Sequence, residues 1–250
     1  MICKNCEYVY DGKYCPACGQ KASVTRFSFV KFMQEGIFKD IFQLERGIFY
    51  TIGELFLRPG IAMRGYLAGK RKRFFNSIAL LLLIGSMYFI LENVVEPGYY
   101  ELSMFSDGIE GKVISDFDAF ARKYQKLFIL LGVPASAVAS FLFFRMALLN
   151  FSEHIVINAY RTSAELIISM PVLLLALCLR NEVFLSMIIV SIGIVILGYG
   201  FYFFYRFFKP YVDKKSSLIW RTLGAVILVQ VVNMAFIYLV ATLFRVMGFI

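Results

Sequence analysis

The chain has 250 residues, of which 60% are hydrophobic, 17% aromatic and only 17% charged, with a mean hydropathy of +0.71 and a formal charge of +9. Soluble domains sit near half apolar and a quarter charged, so one core buried in water is excluded as the destination of this much apolar surface. The positive charge would suggest nucleic acid in a soluble protein; in so apolar a chain it asks first which loops carry it.

Residues 1–24 are polar and hold four of the five cysteines, spaced Cys3-x2-Cys6-x8-Cys15-x2-Cys18. Each Cys-x2-Cys turn aims two thiolates at one ion, and two such turns close a tetrahedral site with no open position. The spacing therefore predicts one structural zinc ion held by Cys3, Cys6, Cys15 and Cys18, and no catalysis there. Gly19 supplies a permissive backbone after the last ligand. Asp11-Gly12, flanked by Tyr8, Val9, Tyr10 and Tyr14, predicts a short β-hairpin. The alternative is a pair of disulfides, which needs an oxidising compartment. So few residues cannot build a core, and metal binding would supply the folding free energy. The module carries only Lys4, Lys13 and Lys21 as cations, which suits a protein contact or a sensor better than nucleic acid. A plain cap on the chain's start is the simpler alternative. No signal-peptide pattern opens the sequence, so insertion is expected to begin from an internal apolar segment.

Residues 25–73 are mixed. Ile37, Phe38, Ile41, Phe42, Leu44, Ile48, Phe49, Ile52 and Leu55 recur at helical spacing, with Lys31, Glu35, Lys39, Asp40, Glu45 and Arg46 on the other faces. This predicts an amphipathic helix, lying in the headgroup plane or packed on the cytoplasmic ends of a bundle. Arg58-Pro59-Gly60 breaks it, and a second short helix from Ile61 to about Gly69 leads into Lys70, Arg71, Lys72 and Arg73, placed to meet anionic lipid headgroups.

The order of these motifs carries a resemblance. Cys18-Gly19-Gln20 is followed by Thr51, Glu54-Leu55, Arg58-Pro59-Gly60, Tyr66 and Gly69-Lys70-Arg71. This run resembles a family of bacterial membrane proteins, of the Bacteroidota type, grouped as domain of unknown function 3667. Phe151-Ser152-Glu153-His154 is similar to a Glu-His stretch that the family carries between membrane spans. The resemblance covers residues 1–75 closely and the rest loosely. It implies a zinc ribbon joined to a helical domain in the bacterial inner membrane, and it implies no activity.

Residues 74–250 alternate apolar spans with short loops, predicting an all-α polytopic membrane protein of about five transmembrane helices. The spans are expected at about 74–95, 127–149, 163–179, 183–208 and 218–247. Pro134 and Pro171 fall inside the second and third. The third is short and could be re-entrant, which would make four. Arg180, Asn181 and Glu182 suggest a tight turn between the third and fourth. Residues 1–73 carry a net charge of +7, and Arg206, Lys209, Lys214, Lys215 and Arg221 make the 206–221 loop basic too. The positive-inside rule then puts the N-terminus and the 150–162 and 206–221 loops in the cytoplasm, with the acidic 96–126 loop and the C-terminus on the periplasmic side.

His154 is the only histidine. If residues 150–162 are helical, His154, Asn158 and Arg161 share a face, near Glu153 and Glu165. Such a face could hold a proton, an ion or a lipid headgroup at membrane depth; the other reading is a linker helix whose polar side sees water. Gln230 and Asn233 in the fifth span suit interhelical hydrogen bonds, and Cys178 suits packing. No nucleophile elbow, phosphate loop or paired-carboxylate arrangement is present, so an enzyme has little support. Two main functions remain: a membrane scaffold or sensor whose ribbon contacts a protein partner, and a small transporter or lipid-handling protein with a site around Glu153, His154 and Arg161; a membrane-embedded enzyme is a minor third.

Overall fold

A computed structural model describes residues 1–24, 26–27, 47–94, 125–178 and 182–246. Among them seven α-helices follow one another: α1 (Ile48–Leu57), α2 (Pro59–Ala68), α3 (Ser77–Val94), α4 (Gln125–Phe143), α5 (Phe151–Cys178), α6 (Glu182–Phe208) and α7 (Lys215–Val246). Their boundaries follow from local chemistry. Pro59 occupies the first turn of α2, where its missing N–H costs nothing. Gly69, at φ 110, closes α2 in the left-handed conformation that a Cβ would oppose. The Asn76 Oδ1 accepts from the backbone N–H groups of Ile78 at 2.9 Å and Ala79 at 3.3 Å, so α3 begins at Ser77 and not at Phe74.

Helix α5 lies at the centre, against α1, α3, α4 and α6; α4 pairs with α7, and α2 lies on α6. The core between them is aromatic: Phe144, Tyr160, Phe203, Phe204, Phe207 and Phe208 are fully buried, with the rings of Phe144 and Phe208 stacked at 3.7 Å. The starts of α3, α5 and α7 and the ends of α4 and α6 share one end of the bundle. There the Arg64 Nη1 donates to the carbonyls of Arg206 and Phe207 at 2.8 Å, and the Arg221 Nη1 donates to the Phe143 carbonyl at 2.9 Å. Both guanidiniums cap helix C-termini whose last carbonyls have no partner within the helix. The cysteine module sits at this same end.

Five helices thus fall where five spans were expected, but helix length and apolarity support fewer. Two stretches, Val190–Tyr211 and Lys215–Val240, are long and apolar enough to cross a membrane; the apolar parts of α3 and α4, Ser77–Glu92 and Phe128–Phe143, are shorter. The second span ends early because Arg145–Ala147 form a 3-10 turn and Leu148 turns left-handed at φ 52. The 150–162 stretch is not a loop: it is the first half of the 28-residue α5, a continuous helix through Pro171. The amphipathic segment before Gly47, the acidic loop at 96–124, the turn at Arg180 and Asn181, and the side chain of Cys178 lie outside the described residues.

Candidate metal centre and buried polar row

The cysteine module is built from two similar turns. In the first, the Cys3 N–H donates to the Tyr8 carbonyl at 3.0 Å and the Glu7 N–H to the Cys3 carbonyl at 2.9 Å. In the second, the Cys15 N–H donates to Gln20 at 2.9 Å and the Gly19 N–H to Cys15 at 2.7 Å. The residue after each second cysteine is left-handed, Gly19 at φ 70 and Glu7 at φ 63. Glycine marks the second position in the sequence; nothing marks the first. The β pairing differs from the expected hairpin. Isolated antiparallel bridges join Ile2 to Val9 and Tyr14 to Lys21, so each turn pairs with itself and nothing pairs across Asp11-Gly12. A Cys-x2-Cys turn already reverses the chain, which leaves no second reversal for Asp11-Gly12 to direct.

The four sulfurs lie within 4.8 Å of one another, close enough to bind a metal ion. Cys3 and Cys18 approach to 3.6 Å, as do Cys6 and Cys15, and all four are free thiols. A disulfide needs about 2.05 Å, so the disulfide alternative does not hold. The sulfurs crowd one another unequally. The backbone N–H of Cys6, helped by that of Asn5 and by the thiols of Cys18 and Cys6, outweighs burial and holds the Cys3 thiol down at about 6. At Cys6 the Tyr8 N–H favours the thiolate, but burial and the thiols of Cys15, Cys18 and Cys3 push it up to about 12. A divalent cation removes this conflict, because it takes four thiolates at once. Only Tyr10 joins Cys3 and Cys15 in the module's buried core.

The module is seated on the bundle. Gln20, buried, donates to the Gly69 carbonyl at 3.0 Å and accepts from the Arg71 N–H at 3.2 Å. Just beyond, Arg26 forks onto Glu153, Nε to Oε1 at 2.7 Å and Nη2 to Oε2 at 2.8 Å, and also donates to the Leu148 carbonyl at 2.7 Å. The cationic run is divided in use. Lys70 lies 3.6 Å from Glu7, Arg71 covers the Phe27 ring at 3.7 Å, and Lys72 and Arg73 are exposed.

The residues around His154 separate into two groups. Glu153 faces the module: its Oε2 accepts from the Asn150 N–H at 2.8 Å while Asn150 Oδ1 accepts from the Glu153 N–H at 2.9 Å, a reciprocal cap that starts α5. The Asn150-x2-Glu153 spacing announces this helix start, and the sequence reading missed it. The others turn into the bundle, so the reading of a linker helix with a wet polar side does not hold. His154 Nδ1 lies 2.9 Å from the Ser140 Oγ of α4, Asn158 donates to that Oγ at 2.8 Å, the Arg161 Nε donates to Asn158 Oδ1 at 3.3 Å, and Arg161 pairs with Glu165. Ser140 was not singled out from the sequence. His154 is 0% exposed, between the edge of Phe141 and the face of Phe208, and its Nε2 has no hydrogen-bond partner. Farther along, Asn233 donates to Ser136 at 3.2 Å, joining α7 to α4 as expected.

Residues 45–89 match the model of a family described as "Protein of unknown function (DUF3667)", so the resemblance read from the motif order is shown for that stretch. No curated protein and no solved structure matches the chain. The matched stretch covers α1, α2, the cationic turn and most of α3, and its marked residues have structural partners. Thr51 Oγ1 accepts from the Phe75 N–H at 2.8 Å, Glu54 pairs with Arg58, and Tyr66 packs edge-on to Tyr160 at 5.2 Å.

Proposed function

We propose that the chain is a five-helix protein of the bacterial inner membrane that acts as a scaffold or sensor, with its ribbon in the cytoplasm engaging a protein partner. The observation that carries this is the two-sidedness of the ribbon. One side is tied down by Gln20, while Ile2, Tyr8, Val9 and Tyr14 are exposed on a module of two dozen residues. Large apolar side chains gathered on so small a module suit a protein contact.

Membrane insertion is supported by what α6 and α7 leave uncovered. Their most apolar windows are only 22% and 18% buried, whereas the core helix of a soluble protein would be mostly buried. Met187, Val190, Ile194, Ile227, Val231 and Met234 face outward, and hydrocarbon is the medium that accepts them. The other three helices cross with them as a bundle, and the basic end then faces the cytoplasm. Lys72 and Arg73 remain available for anionic headgroups, while Lys70 and Arg71 are partly committed to Glu7 and Phe27.

The ion is zinc, one per chain and structural. At a Zn–S length of 2.3 Å a tetrahedron has sulfurs about 3.8 Å apart, near the 3.6 Å separations of the two pairs. The transporter reading requires a polar cavity reaching His154 and Glu165, and the aromatic seal around His154 speaks against it.

A photo-crosslinking residue at Tyr8 in the full chain, in cells, should give a discrete protein adduct. The adduct should vanish in Cys15→Ser while the chain stays in the membrane fraction. An adduct unaffected by Cys15→Ser, or none from either Tyr8 or Tyr14, would reduce the ribbon to a cap.

A further inference from the structure

We propose that α1 and α2 form a re-entrant hairpin whose tip, the last turn of α1 at Leu55 to Leu57, rests among the acyl chains of the leaflet on the ribbon side. The proposal rests on the membrane reading above and adds an element to it.

The path of the chain carries it. Gly47, at the start of α1, lies against the backbone of Arg73 and Phe75, level with the approach to α3. From there α1 runs along α5, and its last turn meets α6. The Tyr202 hydroxyl donates to the Leu57 carbonyl and the Tyr199 hydroxyl to the Leu55 carbonyl, both at 3.2 Å. Tyr202 and Tyr199 come six and nine residues before Phe208, the end of α6, or about 9 and 14 Å along the helix. Then α2 climbs back. Gly60 touches the Arg206 carbonyl so closely that any Cβ would collide with it, and Gly69 returns to Lys4 and Gln20 of the ribbon.

A chain that dips to that depth must satisfy its own backbone. The last carbonyls of α1 have no partner within the helix, and in hydrocarbon an unpaired carbonyl costs several kcal/mol. The two tyrosine hydroxyls meet that need where the helix breaks. The break itself, Arg58-Pro59-Gly60, uses a proline with no N–H to satisfy and a glycine that permits close packing.

The outward face fits acyl chains. Phe49 is 91% exposed, Leu57 72% and Ile61 58%, and along α1 the stripe Phe49, Gly53, Leu57 holds no charge. Residues Ile194 and Leu197 of α6 are exposed and apolar as well. Arg58 is the one charge at the tip: it pairs with Glu54, and its stem is long enough to carry the guanidinium up to the phosphate level.

The test places single tryptophans in the full chain, with Trp220→Phe removing the natural one, in vesicles of phosphatidylcholine brominated on the acyl chains. Leu57→Trp should be quenched by the brominated lipid to within about twofold of Ile227→Trp on α7, and be several-fold less sensitive to aqueous iodide than Tyr8→Trp on the ribbon. If Ile227→Trp is quenched while Leu57→Trp responds to iodide and not to bromine, the hairpin lies in water and this inference fails alone. If Ile227→Trp is not quenched either, the membrane reading fails and the hairpin with it.

Discussion

The cysteine quartet and the histidine row were the two places where residue types pointed to chemistry, and they are built in opposite ways. In the quartet, four sulfurs converge within 4.8 Å on a point that no protein atom satisfies. In the row, Ser140, Asn158, Arg161 and Glu165 bond one another across α4 and α5 and His154 joins them through Nδ1, inside a wall of phenylalanine; the one group left over is a single atom, His154 Nε2, on which no second donor or acceptor converges. Donors that converge and leave a shared need unmet describe a ligand site. Donors and acceptors that close on each other describe a structural network, even when they include a histidine and an ion pair.

Removing one sulfur should therefore have an all-or-none effect. Cys15→Ser leaves three thiolates and takes one of the two cysteines from a buried core that only Tyr10 completes, so metal content should fall from near one ion per chain to near zero, read by elemental analysis of purified protein. Loss of ribbon order should accompany it, read by amide exchange over residues 1–24. In the row the cost should be graded and reparable. Arg161→Met leaves Glu165 without its counter-charge and Asn158 without a donor, which should lower stability in detergent by about 3–5 kcal/mol. Adding Glu165→Leu should recover most of that loss, because two apolar residues need no partner. A double variant as unstable as the single one would mean that the row is more than internal satisfaction.

The same contrast explains what was legible in the sequence. Metal spacing is local: Cys3-x2-Cys6 and Cys15-x2-Cys18 fix the ligands within a few residues, so the quartet could be read without a fold. Apolar runs are local as well, and all five long helices stand where such runs occur. The row is not local. Its hydrogen bonds join residues fourteen and eighteen apart across two helices, and no pattern in α4 singles out Ser140 among its small neighbours. Glu153 and His154, adjacent in sequence, point about 100° apart on a helix, and so one belongs to the ribbon's seat and the other to the core. The helix that holds the apolar run 163–179 is longer than the run, because the Asn150-x2-Glu153 cap starts it at Phe151, ahead of the apolar residues. The re-entrant path of α1 and α2 depends on Tyr199 and Tyr202, some 140 residues away, and no local signal could show it.

Between ribbon and bundle lies a contact that should respond least. Gln20 is part of neither the ligand set nor the apolar core, yet it is buried and bonds the Gly69 carbonyl and the Arg71 N–H with its two amide atoms. Gln20→Ala leaves both backbone groups without that partner, which should cost about 1–2 kcal/mol of docking. Ribbon folding should be spared, since the sulfurs keep their geometry, and metal content should stay near one ion per chain. Arg26, held on Glu153 in the docked form, gives the readout: limited trypsin cleavage after Arg26 should quicken roughly five- to thirtyfold, the factor that such a free-energy change implies when opening is fast relative to cleavage. If Gln20→Ala instead empties the metal site as Cys15→Ser does, the ribbon cannot fold away from its seat, and quartet and bundle form one cooperative unit.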